Sequence, residues 1–326
     1  MRIRLSNKLS LFVIALVFSC VAMAQEPQFS QYMFNRMSYN PGYAGSSGSI
    51  CAALMYRNQW LGLRLDAPNA NAKAGSTPQD VLFTFDMPVK FLHGGLGLNV
   101  VKDMIGYHDN ISASLDYAFR MFWGEGNLSA GAAVSLMSSK LDKESLTPED
   151  PNDPVLSALG ESATLIDAGV GIYYQVPGKY YVGVSVMNLL GAHSDEIMFS
   201  NARYAYAMGG FEYVPSSAPS VRIKPSALLK TANLSYFQAD LTCLIDYRNA
   251  FWGGLGYRVN DAVYALAGIH WKKLQVGVSY DFTTSRLGAY KFGRSMGSIE
   301  LYMKFCFKVV VPRKPNTSYG NTIMLE

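Results

Sequence analysis

Apolar and polar side chains alternate along most of this chain. In one clear example, residues 297–308, every second position is apolar: Ile299, Leu301, Met303, Phe305 and Phe307. A β-strand places successive side chains on opposite faces of its sheet, whereas an amphipathic helix needs apolar residues every three or four positions. The similar alternation at 108–120 and 273–283 therefore predicts strands with one apolar and one polar face.

The same pattern along the whole chain predicts fourteen strands, and about ten residues is the length with which a tilted strand crosses a membrane. The predicted strands cover 49–59, 79–88, 93–102, 108–120, 126–138, 164–175, 179–188, 204–213, 221–230, 234–248, 250–258, 262–271, 273–283 and 297–308. An open sheet edge in lipid would leave backbone N–H and C=O groups unpaired. We therefore predict an all-β fold, a transmembrane antiparallel up-and-down β-barrel of about fourteen strands.

The connections between the predicted strands support a barrel independently. The longest gaps are 60–78, 139–163, 189–203 and 284–296, which are connections one, five, seven and thirteen. The even-numbered connections are mostly tight, and the longest of them is 214–220. Bacterial barrels alternate long outer loops with short periplasmic turns. The pattern predicts a barrel in the cell outer membrane whose first strand runs outward.

The start of the chain has the order of an export signal. Within residues 1–24, a basic start precedes an apolar run at 9–18 and small residues at 22–24. The apolar run is too short to span a bilayer as a helix. We expect cleavage before Gln25, and the alternative is lipidation of Cys20, which follows a sequence that loosely resembles a lipidation box.

The rest of the chain divides into three parts. We predict that 25–48 form an N-terminal periplasmic or plug segment and that 49–308 form the barrel. Residues 309–326 are polar and contain proline, which indicates a short periplasmic tail.

Charge and composition exclude some classes of partner. The chain has 28 basic and 24 acidic residues. Three basic residues belong to the export signal, so the mature chain keeps 25 against 24, a net charge of +1. This balance gives no indication of nucleic acid as a partner. Charged residues make up 16% of the chain, below the roughly 25% of soluble domains, which favours membrane lipid as the surroundings.

Three cysteines remain after removal of the signal: Cys51, Cys243 and Cys306. An odd number with wide spacing does not indicate a disulfide framework, and there is no CxxC pair of the kind that binds zinc. We expect small buried or lipid-adjacent residues with free thiols. A bridge between Cys51 and Cys306 on the neighbouring terminal strands is the less favoured alternative.

The sequence contains no motif that indicates catalysis or a cofactor. The glycines at 94–97 lie within an alternating strand, whereas a phosphate loop leads into a helix. The four histidines are far apart and lack the spacing of a metal site. No Gly-x-Ser-x-Gly element is present. We therefore expect no enzyme activity, no cofactor and no metal.

Several acidic residues share the parity of the predicted lumen face. These are Asp86, Asp116, Asp167, Asp240, Asp246, Asp281 and Glu300. They would line a conduction path if the lumen were open. The favoured interpretation is that they pair with basic residues of the same interior and fill it. The candidate basic partners are Arg57, Arg120, Arg248 and Lys304.

A series of motifs gives the chain a resemblance to a known family. The motif blocks lie at 28–33, 40–45, 56–60, 95–98, 181–185, 224–226, 252–258, 279–281 and 297–300. In this order they resemble the PorP/SprF family of outer-membrane proteins of the type IX secretion and gliding-motility apparatus of Bacteroidetes. The most specific blocks are Asn-Pro-x-x-Ala-Gly at 40–45 and Tyr-Arg-x-Gln-Trp at 56–60. The sequence departs from the family at Ile299, where the resemblance leads us to expect histidine.

The resemblance implies a function that alternation does not. It implies an outer-membrane barrel that associates with periplasmic components of the secretion system, including lipoproteins and a peptidoglycan-binding protein. Some family members aid the export or surface attachment of a large secreted adhesin. The alternative is an outer-membrane channel for a solute or a hydrophobic substrate.

The family motifs also supply the candidate site. The residues that we expect to contact a partner or a plug are Asn40, Pro41, Ala44, Gly45, Tyr56, Arg57, Gln59, Trp60 and Glu300. Arg57 and Gln59 share lumen parity, and with Asn40 they are expected to order the N-terminal segment. Our hypothesis is that residues 28–46 pack against or inside the barrel mouth, because this stretch is aromatic and rich in Asn, Pro and Gly.

Overall fold

Strands dominate the computed structural model, which describes residues 27–62, 77–143, 160–194, 197, 199–285 and 295–308. The strands are β1 (Ser49–Asn58), β2 (Gln79–Val89), β3 (Gly94–Ile105), β4 (His108–Trp123), β5 (Gly126–Leu141), β6 (Ser162–Val176), β7 (Tyr180–Met187), β8 (His193–Ser194), β9 (Phe199–Ser200), β10 (Tyr204–Phe211), β11 (Val221–Ala232), β12 (Tyr236–Tyr247), β13 (Phe251–Arg258), β14 (Ala262–Trp271), β15 (Leu274–Thr283) and β16 (Ser298–Lys308). All except β8 and β9 belong to one closed barrel.

The barrel is antiparallel throughout and follows the order of the sequence. Each strand pairs with the next, β7 pairs with β10, and β1 pairs with β16 to close the ring. The predicted fold class, a fourteen-stranded up-and-down barrel, is confirmed. Each barrel strand overlaps a predicted strand, and the two differ by a few residues at their ends.

The burial pattern of each strand shows why the alternation predicted this fold. On β12, Asp240 and Leu244 are buried inside the barrel, whereas their neighbours Leu241 and Ile245 are about half exposed on the outer wall. In a bilayer, lipid covers such an outer apolar face, and backbone hydrogen bonds between strands satisfy the main chain. A shift of one residue in strand register would move every one of these side chains to the wrong face.

The connections differ between the two ends of the barrel. At one end the strands are joined by the long connections at 59–78, 142–161 and 188–203, the last of which carries the small β8–β9 sheet. At the other end, tight turns such as 248–250 and 272–273 join neighbouring strands. Because long loops face outward in bacterial barrels, we call the first end external and the second periplasmic.

Residues 27–48, which we call the inner segment, run inside the barrel as three short 3-10 turns, Tyr32–Phe34, Arg36–Ser38 and Pro41–Tyr43. Their apolar side chains form one core with lumen-facing residues of the wall, including Tyr206 and Leu228. Among the described residues, no helix has the length and apolar character needed to cross a membrane.

The prediction that Cys51 and Cys306 have free thiols is wrong. These residues form a disulfide, and they lie directly opposite each other where β1 pairs with β16. The two strands are distant in sequence but adjacent in the closed ring, so closure of the barrel brings the sulfur atoms together. Cys243 is free and exposed on the outer face of β12.

Candidate functional site

A buried cluster of polar and charged side chains holds the start of the inner segment at the external end. We call it the external cluster, and it consists of Ser30, Arg57, Asp240, Arg258, Asp281 and Glu300. The Ser30 hydroxyl lies 2.7 Å from Asp281 Oδ2, and it accepts hydrogen bonds from both arginines. The backbone N–H groups of Ser30 and Gln31 donate to the Glu300 carboxylate at 2.8 and 3.0 Å.

Two arginines link the carboxylates of the external cluster. Arg57 forms salt bridges with Asp281 at 2.8 Å and with Glu300 at 3.1 Å. Arg258 bonds Asp240 at 2.7 Å and Asp281 at 3.2 Å. None of these five side chains is more than 5% exposed.

Burial makes each member of the external cluster depend on the others. A buried charge is stable when its partners replace the hydrogen bonds of water, and removal of one partner leaves the rest uncompensated. The two guanidinium groups carry two positive charges against three carboxylates, and Ser30 and the N–H group of Gln31 supply further donors. The inner segment therefore completes the network rather than only touching it.

Asn40 anchors the middle of the inner segment. Its side-chain oxygen accepts the N–H of Gly42 and so caps the turn that begins at Pro41. Its side-chain nitrogen donates to the carbonyl oxygens of Ile172 on β6 and Val184 on β7. One amide thus orders the turn and attaches it to two strands, which explains the Asn-Pro pair of the motif.

The Ala-Gly end of the motif lies close to the wall near the periplasmic end. Arg120 of β4 donates to the carbonyl oxygens of Ala44 and Gly45 at 2.8 and 2.9 Å. A Cβ atom at Gly95 of β3 would lie 2.3 Å from the Ala44 oxygen. Gly45 has a φ of +65°, in the left-handed region that favours glycine. Backbone packs against backbone here, which leaves no room for larger side chains.

An arginine within the inner segment is surrounded by aromatic rings. The guanidinium carbon of Arg36 lies 3.7 Å from the ring centre of Tyr181, and Arg36 donates to the Tyr173 hydroxyl at 3.0 Å. Tyr43 packs edge-on against Tyr173. The Arg36 guanidinium carbon also lies 5.8 Å from the ring centre of Tyr43.

The remaining motif residues lie away from the inner segment. Tyr56 donates to the side chain of Gln79, and Gln59 Nε2 lies 3.5 Å from Asp80. Trp60 adopts a φ of 51° where the chain leaves β1, and its backbone N–H donates to the Ser298 hydroxyl. The structure thus brings Arg57 and Glu300 together but places Tyr56, Gln59 and Trp60 in the wall and the first external connection.

Among the described residues, the predicted pairing of lumen charges gives salt bridges within 4 Å for Arg57, whereas Arg120 and Lys304 interact with Asp86 only at longer range. Arg120 bonds backbone carbonyls, and Arg248 packs against the Tyr247 ring in a periplasmic turn. Among the described residues, Lys304 forms no salt bridge. Arg258, the second basic member of the external cluster, was missed, although its position at the end of β13 with lumen parity could have indicated it.

A cavity of about 200 Å³ separates the inner segment from the wall near the periplasmic end. Apolar side chains such as Phe34 and Phe211 line it together with the charged residues Arg36, Glu212 and Lys224. Lys224 is also bonded to Asp246 at 3.1 Å. The cavity therefore combines aromatic surface with charge beside the turns that join β6 to β7 and β10 to β11.

Several solved structures are similar to this barrel. They include the outer membrane protein Omp33 of Acinetobacter baumannii (8% identity, 79% of this chain and 99% of that chain, TM-score 0.45) and the toluene transporter TbuX of Ralstonia pickettii (9%, 83% and 92%, 0.47). A FadL homologue of Pseudomonas aeruginosa is also similar (11%, 86% and 94%, 0.44). These TM-scores are below 0.5, so the fold assignment rests on the strand pairing described above.

Sequence comparison identifies the family. No curated protein matches this chain. The family model described as "Type IX secretion system membrane protein PorP/SprF" matches residues 21–305, which is most of the chain. A membrane protein of this family with a closed fourteen-stranded barrel lies in the outer membrane. The chain belongs to the PorP/SprF family of type IX secretion system membrane proteins.

Proposed function

We propose that the protein is a non-enzymatic docking barrel of the type IX secretion system. Its periplasmic end would bind lipoproteins or a peptidoglycan-binding protein of that system. Its external end would aid the export or surface attachment of a secreted adhesin. The observation that carries this proposal is the occupied lumen.

The inner segment contacts opposite sides of the wall. Ser30 is bonded to β15 and β16, whereas Asn40 is bonded to β6 and β7. Buried apolar side chains fill the space between these contacts. A lumen filled in this way favours the binding of partner proteins at the ends of the barrel over the conduction of solutes through a pore.

The cavity near the periplasmic end supports a docking role on that side. Its aromatic and charged lining resembles the mixture found at the centre of protein interfaces, where Tyr, Phe and Arg are enriched. Lys179 and Glu125 lie beside it in neighbouring periplasmic turns, exposed and bonded to each other at 2.6 Å. An incoming periplasmic protein would meet these side chains first.

Site-specific crosslinking in the native envelope tests the proposal. A photoreactive amino acid in place of Lys179 should capture periplasmic proteins of the secretion system. The matched control is the same substitution at Ser235, which is exposed in an external connection. Capture of secretion-system proteins at neither position would overturn the docking role. Capture of a secreted adhesin at Ser235 would support the second part of the proposal.

Conductance measurements distinguish docking from transport. The purified protein should be silent in planar bilayers, because the inner segment occupies the lumen. A steady conductance from the intact protein would instead support the channel alternative. Hydrolysis of a lipid or peptide by the purified protein, lost on substitution of one lumen residue, would overturn the non-enzymatic part.

A further inference from the structure

The inner segment has a defined direction through the barrel. Ser30 contacts Arg57, Asp281 and Glu300, which lie within two residues of the external ends of their strands. Sixteen residues later, the Ser46 carbonyl accepts a hydrogen bond from Gln175, the next-to-last residue of β6 at the periplasmic end. The chain therefore crosses the lumen from the external end to the periplasmic end before β1 begins.

The contacts between these two points leave no return path inside the barrel. Tyr32 reaches the Ser226 hydroxyl on β11, and Ser38 donates to Asn99 on β3. Tyr39 and Tyr206 pack edge to face with ring centres 5.3 Å apart. These side chains fill the cross-section below Ser30. Only the Phe29 side chain packs below the external cluster, and the chain that precedes it has no path through these side chains toward the periplasm.

We propose that the amino-terminal end of the described chain, Pro27 and Gln28, is presented on the cell-surface side of the outer membrane. The inner segment is then a surface-to-periplasm tether, which the external cluster clamps where the chain enters the barrel. A purely periplasmic N-terminal segment, one of the two alternatives predicted from the sequence for residues 25–48, would have to enter from the opposite end. This inference rests on the external assignment of the long connections and not on the proposed docking role.

Clamping at the external cluster makes the entry point specific. The Glu300 carboxylate accepts the two consecutive backbone N–H groups of Ser30 and Gln31, which form the turn before Tyr32, and so holds this turn against β16. Phe29 packs below the cluster against Met55 and Tyr302. Hydrogen bonding on one side and apolar packing on the other therefore fix where the chain passes from the external mouth into the lumen.

Cysteine labelling on intact cells tests the direction. In a Cys243→Ser background, which removes the free thiol found among the described residues, Pro27→Cys and Gln28→Cys would be treated with a membrane-impermeant maleimide. The control for the surface is Ser235→Cys, and the control for the periplasm is Ser216→Cys in the β10–β11 turn. We expect Pro27→Cys or Gln28→Cys to label on intact cells like Ser235→Cys, with no gain after permeabilisation.

Two results would overturn the inference. One is labelling of both positions only after permeabilisation, as expected for Ser216→Cys. The other is the absence of labelling at both positions in either state, which would mean that the chain end is enclosed. Heat-dependent gel migration verifies that each variant has a folded barrel. Crosslinking at Lys179 is an independent measurement, so a failure of the docking proposal remains distinguishable from a failure here.

Discussion

The two ends of the inner segment are held by different physical means. At the external end, Ser30 is bound by the buried arginines and carboxylates of the external cluster. Toward the periplasmic end, the backbone around Gly42 and Ala44 lies against glycines of the wall, Gly131 and Gly95. The first attachment depends on complementary charge, and the second depends on shape.

The difference predicts opposite sensitivities. A charge network fails when one group is removed, because the remaining buried charges lose their compensation. A close backbone contact fails when atoms are added, because the neighbouring chain has nowhere to move. Removal of a charged group should therefore weaken the attachment of the inner segment at the external end. Addition of a methyl group should weaken its attachment toward the periplasmic end.

The largest effect is expected from Arg258→Met. This change removes the partner that bonds Asp240 at 2.7 Å and also the second arginine bonded to Asp281. We expect a loss of about 3–5 kcal/mol in the free energy of unfolding, measured by denaturant titration in detergent micelles. The control is Arg222→Met, whose ion pair with Glu212 is partly exposed and should contribute about 0–1 kcal/mol. Equal losses in the two variants would contradict the network.

Removal of the disulfide should separate the stability of the wall from that of the inner segment. Replacement of Cys51 and Cys306 by serine opens a covalent link between β1 and β16. We expect a loss of about 2–4 kcal/mol on denaturant titration. Protection of Arg36 from trypsin should persist, because the contacts of the inner segment are unchanged. The control is Cys243→Ser, and a comparable loss there would argue against this assignment.

Gly131→Ala tests the contact that depends on shape. A Cβ atom at this position would lie 2.3 Å from the Gly42 nitrogen and 2.4 Å from the Pro41 carbonyl carbon. We expect a loss of about 1–3 kcal/mol and faster tryptic cleavage after Arg36. Gly209→Ala is the matched control, because the nearest heavy atom would be at 3.6 Å. Unchanged cleavage in Gly131→Ala would show that the inner segment is not held by this contact.

The smallest effect is expected from Lys179→Ala outside the lumen. The hydrogen bond and charge of Lys179 lower the pKa of the Glu125 carboxyl. A carboxyl whose pKa is lower in the folded state stabilises the fold at pH values above its pKa in the unfolded chain. This contribution is lost as the pH falls through the folded-state pKa. Removal of Lys179 should return the Glu125 pKa toward its ordinary range, which an NMR titration measures. Both side chains are exposed. Solvent screens this exposed pair, so the unfolding midpoint should shift by little more than the measurement error at neutral pH and not at all in acid below the folded pKa of Glu125. A clear shift in acid would contradict this interpretation.

The fold was predictable from sequence because a membrane wall imposes a simple rule on every strand. Lipid on one side and a packed interior on the other require alternation, and the chain shows it from 49 to 308. Asn40, Arg57 and Glu300 were identified through the family motifs. The sequence placed the partners of Arg57 only within a larger set of lumen acids, because Arg57 meets Asp281 across 224 residues of sequence. The closed ring, rather than local spacing, sets that contact.

The cysteine pair shows the same limit. Parity and the closure of a barrel permitted a bridge between Cys51 and Cys306, but spacing alone favoured free thiols. The pairing depends on the register of β1 with β16, in which the two residues are direct partners. Register across a closing seam is a property of the whole ring, so no local pattern indicates it.

The position of the inner segment also constrains how the protein is made. Residues 27–48 precede β1 in sequence but end up enclosed by a ring that a disulfide seals between its first and last strands. Once the barrel is closed, the inner segment cannot enter between the strands to which it is hydrogen-bonded. We therefore expect the enclosed residues to be in place while the sheet is still open, so that the wall closes around them as the last step of folding.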